Sequence, residues 1–395
     1  MATVVPADAV ASATAAVALP GIGPGKGNGC CCACLGGDPG PVPTAAITAV
    51  PGGKFLTLDA GRVLEYYVYG SEQADATTLL QFGGNFSTGY FFAADQALGA
   101  KLAELNIRGI AISLPGVGYS SMNHGANMYH FCKEDVGRVL EAEGVSRFML
   151  EGTSNGTMIA MGVAHAHADR LAHLYLNVPW FNKEVAALET PHVSVTDFYL
   201  PCQDRCVTSA NLRSVFPGCC LHCCVNCTAC CCFAMMSECE QHKETARELP
   251  ELAKLQYDDT KRALKHHGAG VCLSQIFAGT APGVDIRELA AKFRGKDKVL
   301  ITWATNDAEA PPDQARALIK MFDAAHAVGD GNALKPKMAD GHAFWIWRLM
   351  KGHTAELQLK QVSAPSSEAI ERDINEYFQV PKPEGLSLDF DTKKK

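Results

Sequence analysis

The sequence has no uncharged apolar run approaching the roughly 18 to 20 residues a helix needs to cross a bilayer, so no integral membrane helix is expected. Basic residues are also scarce. Lys and Arg number 35 against 42 Asp and Glu, for a formal net charge of -7, and the only dense basic run is the terminal Lys393-Lys394-Lys395. No stripe is left to meet a phosphate backbone, which excludes nucleic acid as a partner. In the first 50 residues charge of either sign is nearly missing. Asp8, Lys26 and Asp38 stand alone among Ala, Gly, Pro and Val, with few side chains large enough to build a core. This segment reads as a disordered leader. It lacks the basic start of a secretory signal and the arginines of an organellar transit peptide.

The chain as a whole is globular in composition, 47% hydrophobic and 19% charged, and its 395 residues are enough for one large domain with an insertion. From Lys54 the stretch "KFLTLDAGRVLEYYVYG" alternates and is rich in aromatic and β-branched residues. It predicts a hairpin turning near Asp59, Ala60 and Gly61. Buried-strand runs follow at "TTLLQF", "RGIAIS", "RFMLE" and "AHLYLNV". Helical spacing separates them at "QALGAKLAELN", "YHFCKEDVGRVLEAEG" and "TMIAMGVAHAHADRL". Strand–helix alternation of this kind predicts an α/β fold whose mostly parallel sheet is covered on both faces.

The alternation stops after Trp180 and resumes at "DIRELAAKFRGKDKVLITWATND". The predicted organisation is a leader at 1–50, a core at 54–181 and 284–380, an inserted helical, Cys-rich lid at 182–283, and a flexible tail at 381–395.

Gly152-Thr153-Ser154-Asn155-Gly156 lies between a predicted strand and a predicted helix, the context in which a G-x-S-x-G turn exposes a serine nucleophile. Its hydroxyl needs a base to take its proton and a carboxylate to orient that base. Asp307 closes the strand "VLITWATND" and is the candidate acid, with Glu184, Glu309 and Asp313 as competitors. His342 follows Asp340-Gly341 at a strand–helix junction and is the candidate base, with His353 nearby. Asp340 reads as a turn former. For the developing oxyanion, one backbone N–H is expected from Asn155 and a second from Gly84 or Asn85, in the loop after "TTLLQF".

These motifs, with "FGGN", "SLPGVGYSS", "GTSNG", "WATND" and "DGH", resemble the α/β-hydrolase family from about Lys54 to Tyr377. Phe82 stands where the family often has a loop histidine, and Ser113 where its turn usually has aspartate. The resemblance implies an eight-stranded, mostly parallel sheet, no cofactor or metal, and hydrolysis through an acyl-serine intermediate. It leaves the substrate open.

His165 and His167 are two apart on a predicted helix and so do not share a face; with His173 they read as packing histidines rather than metal ligands. The run "FWIWR" reads as core packing or as the wall of an acyl pocket.

Twelve of the 17 cysteines fall in two clusters, at 30–34 and 219–232. C-x-x-C spacing beside His222 suits zinc, but the pairs overlap and no second knuckle follows. Disulfides suit a secreted protein, which the odd count and absent signal disfavour. Reversible S-acylation, anchoring the chain to the cytosolic face of a membrane, is the reading we carry forward for a cytoplasmic protein.

The expected function is hydrolysis of a carboxylic ester, thioester or lipid ester. One rival uses the same triad for acyl transfer to an alcohol or for carbon–carbon cleavage. The other is a non-catalytic scaffold that docks through its Cys-rich insertion.

Overall fold

The computed structural model describes residues 3–4, 41–84, 87–121, 128–180, 250–265, 286–304, 307, 310 and 312–329. Among these described residues nine strands form one sheet: β1 (Thr3–Val4), β2 (Gly53–Thr57), β3 (Val63–Gly70), β4 (Thr77–Phe82), β5 (Ile107–Ile112), β6 (Phe148–Thr153), β7 (Leu171–Asn177), β8 (Val299–Ala304) and β9 (Ala325–Gly329). Their order is β1-β2-β3-β5-β4-β6-β7-β8-β9. β1, β2 and β3 pair antiparallel, and β3 runs antiparallel to β5; every later pairing is parallel. The eight strands from β2 onward are the expected mostly parallel sheet, and the two residues of β1 extend its edge.

The hairpin turn falls where the alternating pattern ends. Asp59–Gly61 forms one 3-10 turn, with Ala60 and Gly61 at φ 56° and 73°. Helices α1 (Thr44–Thr48), α2 (Gly89–Ala93), α3 (Gln96–Glu104), α4 (Met128–His130), α5 (Val136–Ala142), α6 (Gly156–Ala166), α7 (Pro250–Lys265), α8 (Ile286–Lys292) and α9 (Pro312–Phe322) complete the order. Two expectations are corrected. The leader was drawn to residue 50, yet Thr44–Thr48 is helical and Ile47 packs, fully buried, with Phe55 and Tyr119. The helix expected over "YHFCKEDVGRVLEAEG" is broken by a π turn at Phe131–Asp135. There Asp135 takes both Arg62 guanidinium nitrogens at 2.8 and 2.9 Å while Phe131 and Cys132 are buried.

One face of the sheet is apolar. Leu64, Leu80, Ile110, Leu150, Leu176 and Ile301 meet residues of α5, α6, α8 and α9 there. α2 and α3 cover β3 and β5 on the other face, where Gly89 lets α2 come so close that a Cβ would lie 2.5 Å from the Ala111 carbonyl oxygen. Further along, that second face carries a polar row. Gln81 donates to Glu151 (2.9 Å), Tyr175 pairs with Thr302 (2.8 Å), Thr302 donates to Asn177 (2.6 Å), and Asn177 reaches Thr153 (3.4 Å). Gln81, Glu151, Tyr175, Asn177 and Thr302 are all buried, and a buried polar group is tolerated when such partners exist.

Candidate functional site

The carboxyl ends of the parallel strands gather the candidate residues. Ser154 is the first residue past β6 and has φ +55°, a left-handed conformation costing a non-glycine residue about 1–3 kcal/mol. Several contacts hold it there. Its N–H donates to the Asn177 carbonyl at 2.9 Å, and its own carbonyl accepts from the Thr157 N–H at 3.0 Å and hydroxyl at 2.6 Å. The Thr157 hydroxyl is also bonded to the backbone of Trp180, which ties the start of α6 to the segment after β7.

The flanking glycines are required by close approach. A Cβ on Gly152 would lie 2.5 Å from the Gly156 carbonyl oxygen and 2.7 Å from the Ala160 Cβ. A Cβ on Gly156 would lie 2.4 Å from the carbonyl oxygens of both Phe82 and Gly83. The turn is thus wedged between β6, α6 and the loop leaving β4. Gly156→Ala is expected to lower stability by about 1–3 kcal/mol, because the obstruction is backbone rather than a movable side chain. A shift in the urea midpoint checks it, and an unchanged midpoint contradicts the tight wedge.

Gly84 lies against the serine. A Cβ there would fall 3.0 Å from the Ser154 Cβ and 3.5 Å from its Oγ. Asn155 is the N-cap of α6 and is buried, as is Ser154. The structure therefore brings together Ser154, Asn155 and Gly84, at the positive end of an eleven-residue helix. Asp307 follows β8, two strands from β6 on the same sheet edge; it is buried, and one carboxylate oxygen accepts from the Ala310 N–H at 2.7 Å. Its competitor Asp313 is exposed and paired with Arg316. Asn85 and His342 lie outside the described residues, as do Glu184, Glu309, Asp340, His353, the "FWIWR" run and both cysteine clusters.

Ser113, at the position where the resemblance leads to aspartate, is fully buried and serves as a knot. Its hydroxyl accepts from the Gly89 N–H at 3.0 Å, its N–H donates to the Glu65 carbonyl, and its carbonyl accepts from the Ser120 hydroxyl.

Beside the site lies a charged cluster that the sequence reading missed. Glu65, buried in β3, accepts from Arg262 of α7 at 2.7 and 2.9 Å, from the Tyr119 N–H at 3.0 Å, and from the Tyr67 hydroxyl. The Arg262 guanidinium also stacks on Tyr119, Tyr90 and Tyr67, with its carbon 4.6, 5.3 and 5.7 Å from the ring centres. A lone acid in the aromatic strand "RVLEYYVYG" was the available signal.

Among the described residues no group of three or more His, Cys, Asp or Glu could hold a metal ion, and no helix is long and apolar enough to cross a membrane. The three histidines are engaged separately. His165 contacts Tyr129 and Glu288, His167 meets the Cys132 carbonyl, and His173 is buried in β7. Burial lowers the pKa of His167.

Comparison with known proteins gives the fold of this arrangement. The family model described as alpha/beta hydrolase fold matches residues 77–200. An esterase from Thermogutta terrifontis, solved with malate bound, superposes with a TM-score of 0.53 at 18% identity, covering 78% of this chain and 97% of that one. The enol-lactonase of Burkholderia xenovorans LB400 gives 0.52 at 16% identity over 77% and 99%. An esterase from Exiguobacterium antarcticum gives 0.52 at 16% over 78% and 99%. No curated protein matches the sequence.

Proposed function

We propose that the chain, whose residues 77–200 match the alpha/beta hydrolase fold model, is a serine hydrolase cleaving a carboxylic ester, thioester or lipid ester through an acyl-serine intermediate. The observation that carries the reading is the left-handed backbone of Ser154, held by glycine-dependent contacts at the carboxyl end of a central parallel strand. Strain of this kind persists where surrounding structure enforces it, and it lifts the hydroxyl out of the turn. The two esterases and the enol-lactonase of like fold support ester chemistry as the reaction class.

In the proposed reaction the Ser154 Oγ attacks the substrate carbonyl carbon while His342 takes its proton. Asp307 holds the resulting imidazolium. The oxyanion receives the Asn155 N–H and one from Gly84 or Asn85, and the dipole of α6 adds to the same field. His342 then returns the proton to the leaving alcohol or thiol. Water, activated by the same imidazole, releases the acid. Every group needed comes from the chain itself.

A fluorophosphonate probe tests the proposal directly. Wild type is expected to label, and Ser154→Ala and His342→Ala to lose labelling. A folded wild type that stays unlabelled sinks the reading and favours the scaffold rival. The cysteine clusters support a second, separable part of the proposal, peripheral attachment to a membrane by S-acylation. Flotation of the acylated protein with liposomes should be lost after hydroxylamine cleaves thioesters, and a protein that never floats contradicts it.

A further inference from the structure

α7 reaches the 87–88 and 113–121 segments at the catalytic edge through Asp259 and, one turn later, Arg262 and Ala263. Asp259, buried and 171 positions from its partner, takes the Thr88 N–H at 3.0 Å and the Thr88 hydroxyl. Arg262 is bound to Glu65, and the Ala263 carbonyl accepts from the Gly118 N–H at 3.2 Å. Thr88 also fixes the start of α2, its hydroxyl oxygen accepting from the Tyr90 N–H at 3.0 Å.

From Thr88 a short path of contacts leads to the serine. Ser87 N–H donates to the Gly84 carbonyl at 3.3 Å, and Gly83 packs so tightly on Ser87 that a Cβ would lie 2.4 Å from its hydroxyl oxygen. Gly84 then lies against Ser154. A buried carboxyl group from a distant helix is thus engaged by one residue of the loop that carries the expected oxyanion donor. A helix packed only for its apolar face has no need of it.

We propose that α7 is clamped to the catalytic edge by Asp259 and Arg262, and that Asp259, acting through Thr88 and Ser87, is a positioning residue for Gly84. The positioning half rests on the hydrolase reading above; the clamp does not.

The charges around Asp259 give the clamp a pH dependence. Glu65 and the Tyr67 phenol face it from β3, and Thr88 and Ser87 add hydrogen bonds from the loop before α2. Burial, with a smaller push from Glu65, raises the Asp259 carboxyl from 3.8 to about 7. A folded-state pKa above the unfolded one favours the protonated, docked form. Its contribution is complete below about 3.8 and is lost as pH rises through about 7. The clamp should therefore loosen from pH 6 to pH 8, and Asn, which cannot ionise, should hold evenly across that range.

The test compares the full chain as wild type, Asp259→Ala and Asp259→Asn by hydrogen–deuterium exchange of peptides covering 83–93 at pH 6 and 8, normalised to intrinsic rates, and by steady-state hydrolysis of p-nitrophenyl butyrate. Asp259→Ala is expected to speed exchange about tenfold and to lower kcat about tenfold with little change in KM. Asp259→Asn should return both to within about threefold of wild type and abolish the normalised pH 6 to 8 difference. Unchanged exchange in Asp259→Ala overturns the clamp. Faster exchange with unchanged kcat overturns the positioning role. If wild type shows no Ser154-dependent turnover, the hydrolase reading fails and exchange alone decides the clamp. Should Asp259→Ala not fold, Asp259→Leu, which keeps the volume and removes both acceptor oxygens, takes its place, and unchanged exchange in it overturns the clamp.

Discussion

Ser154→Ala is expected to lower ester turnover by about 10⁴-fold or more while leaving KM and fold nearly unchanged. On the proposed mechanism no acyl-enzyme forms without the Oγ. The residual rate should come only from groups that bind the carbonyl oxygen. The substitution also relieves nothing in the backbone, since alanine dislikes φ +55° as much as serine does, so the urea midpoint should stay close to wild type. Pre-steady-state kinetics with a p-nitrophenyl ester provide the check. Wild type should release a stoichiometric burst of nitrophenol if deacylation is slow, and Ser154→Ala should release none. Turnover that survives the substitution would move the chemistry to another residue.

Glu65→Ala is expected to cost about 3–5 kcal/mol of stability. The carboxylate is fully buried and is the acceptor for Arg262, the Tyr119 N–H and the Tyr67 hydroxyl, so its removal strands a cation and two donors together. The stacking of Arg262 on three tyrosine rings offsets only part of that loss. Removing both charges with apolar residues of similar size should cost far less. Glu65→Leu combined with Arg262→Met is expected within about 1–2 kcal/mol of wild type. Urea unfolding of the two singles and the double measures the coupling. A double variant no better than Glu65→Ala would show that the pair is not the seat of the energy.

Local pattern was enough for the sheet and the turn. The runs "TTLLQF", "RFMLE" and "VLITWA" mark β4, β6 and β8 because each sets an apolar face on the core with at most one charge inside the strand, and Gly152 and Gly156 bracket Ser154 because nothing larger fits where α6 and the β4 loop converge. Other features depend on partners far along the chain. The π turn at Phe131–Asp135 answers Arg62, 73 positions away, and α1 depends on Phe55 and Tyr119 for its burial. Arg262 reads as one of several charges on an amphipathic helix until Glu65, 197 positions earlier, is placed beside it. Asp259 is likewise one of two adjacent aspartates, and only the fold distinguishes it by burying it on Thr88.

The polar row behind the sheet also bears on how the strands find one another. β7 and β8 come from segments whose paired residues Asn177 and Thr302 are 125 positions apart, with no short connection to set their alignment. Sliding β8 by one residue would turn Thr302 to the apolar face and bring Ile301 or Trp303 opposite the amide of Asn177. Tyr175 and Asn177 would then be buried facing hydrocarbon, a penalty of about 1–3 kcal/mol for each lost partner. Leucine and valine are nearly interchangeable across a parallel sheet, but this run of amide, phenol and hydroxyl matches in a single alignment. It acts as an address label, directing the late-arriving strand to its one correct berth.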